Sequence, residues 1–132
     1  MHSFLRSLFL SVLFLLFAGF GQQSQKKPAP KDVNVSITKV GKIWKAVLTG
    51  TATTAVHVNP GDKVIFHAEG TDVYFQFDND QLFGGHNKSL KNGKKLTLGV
   101  GQVAKGVYTY SAFCTGPKVF AQGDSPPKII VD

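Results

Sequence analysis

Cys114 is the only cysteine in the 132-residue chain, and its sulfur is the softest donor on offer. A thiolate joined by imidazole nitrogens suits copper, a metal that passes between two oxidation states on such ligands. The imidazoles are His57, His67 and His86, with His2 near the N-terminus. His57 alternates with Val56 and Val58, and His67 follows Phe66, so both point to solvent if those segments are strands. His86 follows Gly84-Gly85 in a loop, which leaves it free to approach Cys114; the pair would make a two-coordinate sulfur and nitrogen site for Cu(I). A lone cysteine has two other fates, a buried thiol or an intermolecular disulfide linking a homodimer. Phe113 and Phe120 near it favour burial. Asp78-Asn79-Asp80 holds a carboxylate pair without the rest of a calcium loop, and reads as a turn. No nucleophile elbow, phosphate-cradling glycine loop or dinucleotide fingerprint accompanies these residues, so the chain is not expected to be an enzyme.

The chain that must position these groups opens with Arg6, an apolar run from Leu8 to Phe17, and the small residues Gly19 and Gly21. This is the make-up of a secretory signal peptide, expected over residues 1–21. The run falls short of the roughly 20 apolar residues that span a bilayer, and no stop-transfer charges follow, so no membrane span is expected in the mature chain. Residues 22–31 (QQSQKKPAPK) read as a disordered tether, and residues 32–132 as one domain in a secreted or periplasmic protein. Lys and Arg together number 15 against 8 Asp and Glu, a formal charge of +7, but Arg6 is the sole arginine. Lysine is a hydrated point charge without the planar fork used on phosphates and base edges, so nucleic acid is not an expected partner. Lys88, Lys91, Lys94 and Lys95 gather in a segment, Asn87 to Lys95, that reads as a solvated loop.

Period-two alternation runs through the domain. Val33, Val35 and Ile37 form one apolar face, Trp44, Ala46 and Leu48 another, and Val64 with Phe66 resumes the pattern after the Pro60-Gly61-Asp62 turn. Val73, Phe75 and Phe77 oppose Tyr74, Gln76 and Asp78. Leu96, Leu98 and Val100 follow, then Tyr108 and Tyr110, and finally Ile129 and Val131. Short strands at this spacing predict an all-β, Greek-key antiparallel sandwich. Pro126 and Pro127 make the approach to the last strand stiff and extended.

Two segments carry a family resemblance. Pro60 to Phe66 (PGDKVIF) resembles the turn and strand before the first copper-ligand histidine of cupredoxins such as plastocyanin and azurin. Gly106 to Tyr110 (GVYTY), Cys114 and the strand Lys128 to Val131 together resemble their C-terminal ligand hairpin. The resemblance implies a cupredoxin-type sandwich and, in the family, a copper held by two histidines, a cysteine and an axial methionine. Counting forward from Phe66 puts the first histidine's place at Tyr74. Cys114 stands two residues late for the cysteine, Thr115 to Gln122 contains no second histidine, and Met1 is the only methionine. The expectation is therefore an exported binding module without a type 1 copper centre and with no cofactor. Its protein or small ligand is expected at the loop end, with Tyr74, Phe83, Phe113 and Phe120 as anchors. The alternative is a copper-binding electron-transfer or copper-carrier protein that uses Cys114, with His86, in an atypical site.

Overall fold

The computed structural model describes residues 29–123 and 126–132, so the expected signal peptide and most of the expected tether lie outside the described residues. β1 (Asp32–Val40) and β2 (Ile43–Leu48) form a hairpin at whose turn Gly41 takes a φ of 63°, a left-handed conformation open to glycine at no steric cost. β4 (Lys63–Ala68) lies parallel to β1, and β7 (Lys95–Gly99) closes this sheet, in the order β2-β1-β4-β7. The second sheet runs β3 (Val56–Val58), β10 (Lys128–Val131), β8 (Gly106–Cys114), β5 (Val73–Phe77) and β6 (Asn87–Leu90), with β9 (Val119–Phe120) paired to the far end of β8. The described residues contain no helix. This is the all-β sandwich that the sequence predicts, with one correction to the antiparallel sheets expected. The pairs β1 with β4 and β10 with β3 are parallel, so both sheets are mixed. Parallel neighbours cannot share a tight hairpin, and here each such pair is joined through the other sheet.

The inward faces follow the alternation. In β5, Val73, Phe75 and Phe77 are buried while Tyr74 and Gln76 are exposed. Phe66 sits at the centre of the interior, its ring 4.7 Å from Phe75, 5.7 Å from Tyr110 and 6.3 Å from both Phe77 and Phe83. Tilted and edge-on arrangements of this kind suit the ring quadrupole. The Pro60-Gly61-Asp62 turn is as expected, with Gly61 at φ 90°. Its Asp62 is buried because both carboxylate oxygens are used: Oδ1 accepts the Lys31 N–H at 3.1 Å and Oδ2 the Asn59 N–H at 2.8 Å. At the same end, the Gly101 N–H donates to the Leu82 carbonyl at 2.8 Å. A β-carbon at Gly101 would collide with the carbonyl oxygen of Gln81, so only glycine lets the two segments meet.

The lysine segment corrects the sequence. Asn87–Leu90 is strand β6, and Lys95 opens β7, so only the link between them is a turn. Lysine side chains on an edge strand repel a second sheet edge, which accounts for their place.

Phe66→Ala should remove about 3–5 kcal/mol, the usual cost of deleting a buried aromatic ring. That is a large part of the roughly 5–15 kcal/mol that holds a domain together. Urea unfolding should show a much lower midpoint with an unchanged slope.

Candidate functional site

Cys114 is the last residue of β8 and faces the interior with no exposed surface. Its strand partners are Val73 on β5 and Val119 on β9. The chain beyond it is tied down over the sulfur's end of the sandwich. The Thr115 N–H donates to the Asp72 carbonyl at 3.0 Å, and the Gly116 N–H to Thr71 Oγ1 at 3.1 Å. Burial pushes the thiol up to about 11, so it is neutral at physiological pH. The two-residue delay noted in the sequence explains why Cys114 still points inward: a shift of two keeps a side chain on the same face of a strand.

The other half of the expected metal pair lies elsewhere. His86 Nδ1 donates to the Phe77 carbonyl at 2.8 Å, and Nε2 stands 3.9 Å from Asp80 Oδ2. His86 is therefore level with Phe77, whereas Cys114 is level with Val73, at the opposite end of β5. At about 3.3 Å per residue, the two levels are roughly 13 Å apart along the strand. Register, not loop mobility, separates Cys114 from His86, and the sulfur and nitrogen site expected from the sequence is not formed. His57 is exposed and bonded to Asp132 at 3.1 Å, and His67 Nε2 is 2.9 Å from Asn34 Oδ1. Among the described residues, no three His, Cys, Asp or Glu side chains converge. With His57, His67 and His86 all engaged elsewhere, the described residues do not supply the two-histidine, one-cysteine set of a type 1 copper centre. Full burial equally disagrees with a Cys114-linked homodimer, since no second thiol could reach the sulfur without parting β8 from β5.

The expected anchors divide. Phe83 belongs to the core: it is 6% exposed and meets Phe77 edge-on at 5.0 Å. Its loop folds inward, where the aromatic interior rewards burial, so it is not available as an anchor. Tyr74 is not in the histidine's expected place beside the sulfur. It points outward, and Val73 holds the inward position instead. Tyr74, Phe113 and Phe120 are brought together. Tyr74 pairs with Phe113 across β5 and β8, and Phe113 pairs with Phe120 across β8 and β9. The Phe113 and Phe120 rings are 5.0 Å apart. Tyr74 is 43% and Phe120 60% exposed, so the row lies on the open outer face of the sheet rather than in the loops.

Beside Phe120 the sheet has a recess of about 280 Å³, lined by Ser111, Phe120, Ala121, Gln122, Pro126 and Pro127. It forms because β8 hands over from β10 to β9 at this level. The Tyr110 N–H still donates to the Pro127 carbonyl, while the Ala121 N–H already donates to Ala112. Gln122 then leaves the sheet to bridge to Lys45 of β2, held by the Ala46 N–H to the Gln122 carbonyl at 2.9 Å and the Gln122 N–H to the Trp44 carbonyl at 2.8 Å. Ser111 and Gln122 were not singled out in the sequence, and the two prolines were read there only as a stiff lead-in to the last strand. Strand parity places Ser111 with Phe113, but nothing in the sequence shows which segment lies beside it.

No family model matches the chain, and no curated protein is significantly similar to it. Among solved structures it is similar to variants of amicyanin. One methionine-to-alanine variant in the Cu(I) form shares 19% identity, covering 83% of this chain and 88% of that one, with a TM-score of 0.45. A second, also Cu(I), shares 21%, covering 80% and 87%, with a TM-score of 0.47. The copper named there belongs to those proteins.

The buried thiol gives a pH dependence with a definite sign. An unfolded thiol ionises near about 8.5, and the folded one near about 11. The raised value means that burial of the neutral thiol contributes fully below the lower figure and is lost as pH climbs toward the upper. Relative to Cys114→Ala, the wild-type protein should lose stability across that window in urea unfolding. Native Cys114 should also resist thiol reagents until denaturant is added.

Proposed function

We propose that the protein is an exported, cupredoxin-like recognition module that works without a type 1 copper centre and binds a protein or small ligand. It binds through the outer face of the β3-β10-β8-β5-β6 sheet. The observation that supports this most directly is the register-matched row on that face, Tyr74 and Phe120 exposed with Phe113 half-buried between them, beside a cysteine sealed into the interior. Large exposed aromatic side chains grouped on one surface are what recognition uses, and scattered ones are not. Export is read from the apolar leader with its positive start, residues 1–21. No helix among the described residues is long and apolar enough to cross a membrane. The reading asks no chemistry of the module: Cys114 is buried, and the described histidines are engaged with Asp132, Asn34 and the Phe77 carbonyl.

Copper titration tests this directly. The protein from Gln22 onward, reduced and without metal-binding tags, is titrated with Cu(II) and Cu(I) while mass and visible spectrum are recorded. The expected result is no thiolate-to-copper absorption and no retained equivalent. One tight equivalent that vanishes in Cys114→Ala would replace the recognition module with a copper protein.

A further inference from the structure

We propose that this outer face is a platform for a neutral carbohydrate chain, an inference that rests on the recognition reading above and names its ligand class. Adjacent strands lie about 4.8 Å apart, so the row from Tyr74 to Phe120 runs roughly 10 Å across the sheet, room for two sugar rings in line. A pyranose has an apolar face of C–H groups that stacks on an aromatic ring, and a rim of hydroxyls that needs neutral donors and acceptors. The face supplies both. Ser89, exposed, is level with Tyr74; Gln76, exposed, and Ser111 pair with each other two residues along β5 and β8; and Ser111 and Gln122 line the recess. None of these carries a charge.

Of the charges bordering the platform, the two carboxylates and Lys91 are engaged, while Lys118 in the β8–β9 turn and Lys128 stand at its rim. Asp72 accepts the Asn92 N–H at 2.8 Å and lies 3.5 Å from Lys91, and the Asn92 bond, aided by Lys91, holds its carboxyl below the usual range. Asp78 accepts a hydrogen bond from Thr109 Oγ1. Lys128 stands beyond the prolines, level with Thr109. A single-stranded nucleic acid would stack on the same rings but asks for a basic groove along them, and no lysine stands between the rings. A second copy of the protein from Gln22 onward would bring its own 14 lysines against 8 carboxylates, a net +6, a repulsion that a neutral sugar does not meet. The recess sets the scale of the terminal contact. Its 280 Å³ falls just under the roughly 300–1,000 Å³ of sites for drug-sized ligands, which suits one sugar ring walled by Phe120 and two prolines, with Ser111 and Gln122 for its hydroxyls.

The test is amide-resolved NMR titration of the protein from Gln22 onward with hexasaccharides of β-1,4-glucose, α-1,4-glucose, β-1,4-mannose and β-1,4-N-acetylglucosamine, together with a uronic-acid hexamer and a single-stranded oligonucleotide. The expected result is saturable shifts for a neutral oligomer, centred on Tyr74, Ser89, Ser111, Phe113 and Phe120. Binding should be indifferent to added salt and weaker by about tenfold or more in Phe120→Ser and in Tyr74→Ser. Both side chains are exposed, so both variants keep the wild-type spectrum elsewhere. Three outcomes overturn the platform: no shift with any neutral sugar, shifts only with the acidic polymers that salt abolishes, or a concentration-dependent dimer closing over the row. Each leaves the copper-free module standing, since that fails only in the copper titration.

Discussion

Phe66 is where the two sheets are held to each other, and the rest of the molecule is arranged around the space it fills. Its ring contacts Phe75, Phe77 and Tyr110 of the opposite sheet and Phe83 from the loop after β5. Sheets stack about 10 Å apart, and rings of this size fill that gap without voids. Because Phe75 and Phe77 must point inward to meet Phe66, Tyr74 and Gln76 must point outward. Because Tyr110 must point inward, so must Ala112 and Cys114, and Ser111 and Phe113 must not. The outer aromatic row and the buried thiol are thus two consequences of one packing requirement.

The end of the sandwich near Cys114 follows from the length of β8. The strand continues far enough that Phe113 and Cys114 pair with β9 as well as with β5, and the chain turns back at once through Lys118, whose φ is 59°. The segment after the turn is then committed twice, first to β8 through Phe120 and next to β2 through Gln122. Backbone donors and acceptors spent on these bonds are not free to shape a loop around a metal. The same commitment opens the recess, since a chain that must leave β8 for β2 and return as β10 cannot stay flush with the sheet.

Much of this was legible in the alternation of single strands. The inward positions of Val35, Phe66, Phe75, Tyr110 and Ile129 were plain, as was the turn at Gly61, because each depends on a period or a backbone preference local to a few residues. The short strands β6 and β9 were not. Asn-Lys-Ser-Leu buries only Leu90 among its four residues, and a two-residue strand has no period to show. Pairing between strands was hidden too. Nothing in the sequence says that His86 is level with Phe77, or that Phe120 lies beside Phe113. Phe83 failed for a third reason: an aromatic residue in a loop is exposed or swallowed according to the shape of a distant core, which here has room for it.

An open row of aromatic rings on a β-sheet is ordinarily a hazard, since sheets recruit one another through exposed edges and apolar faces. Here the two hazards are kept apart. Lys88 lies on edge strand β6, and Lys39, Lys42 and Lys45 surround the β1–β2 hairpin at the opposite sheet's edge, while the rings stand on β5, β8 and β9. The charge that discourages a second sheet from pairing therefore sits where backbone is unpaired. Tyr74 and Phe113 sit on strands whose backbone is bonded on both sides, β5 between β6 and β8 and β8 between β5 and its partners β10 and β9, while Phe120 stands on β9, which is bonded to β8 alone. A face built in this way is rigid as well as open. Its rings lose little conformational freedom when something settles on them, which is the condition under which a small contact area still binds.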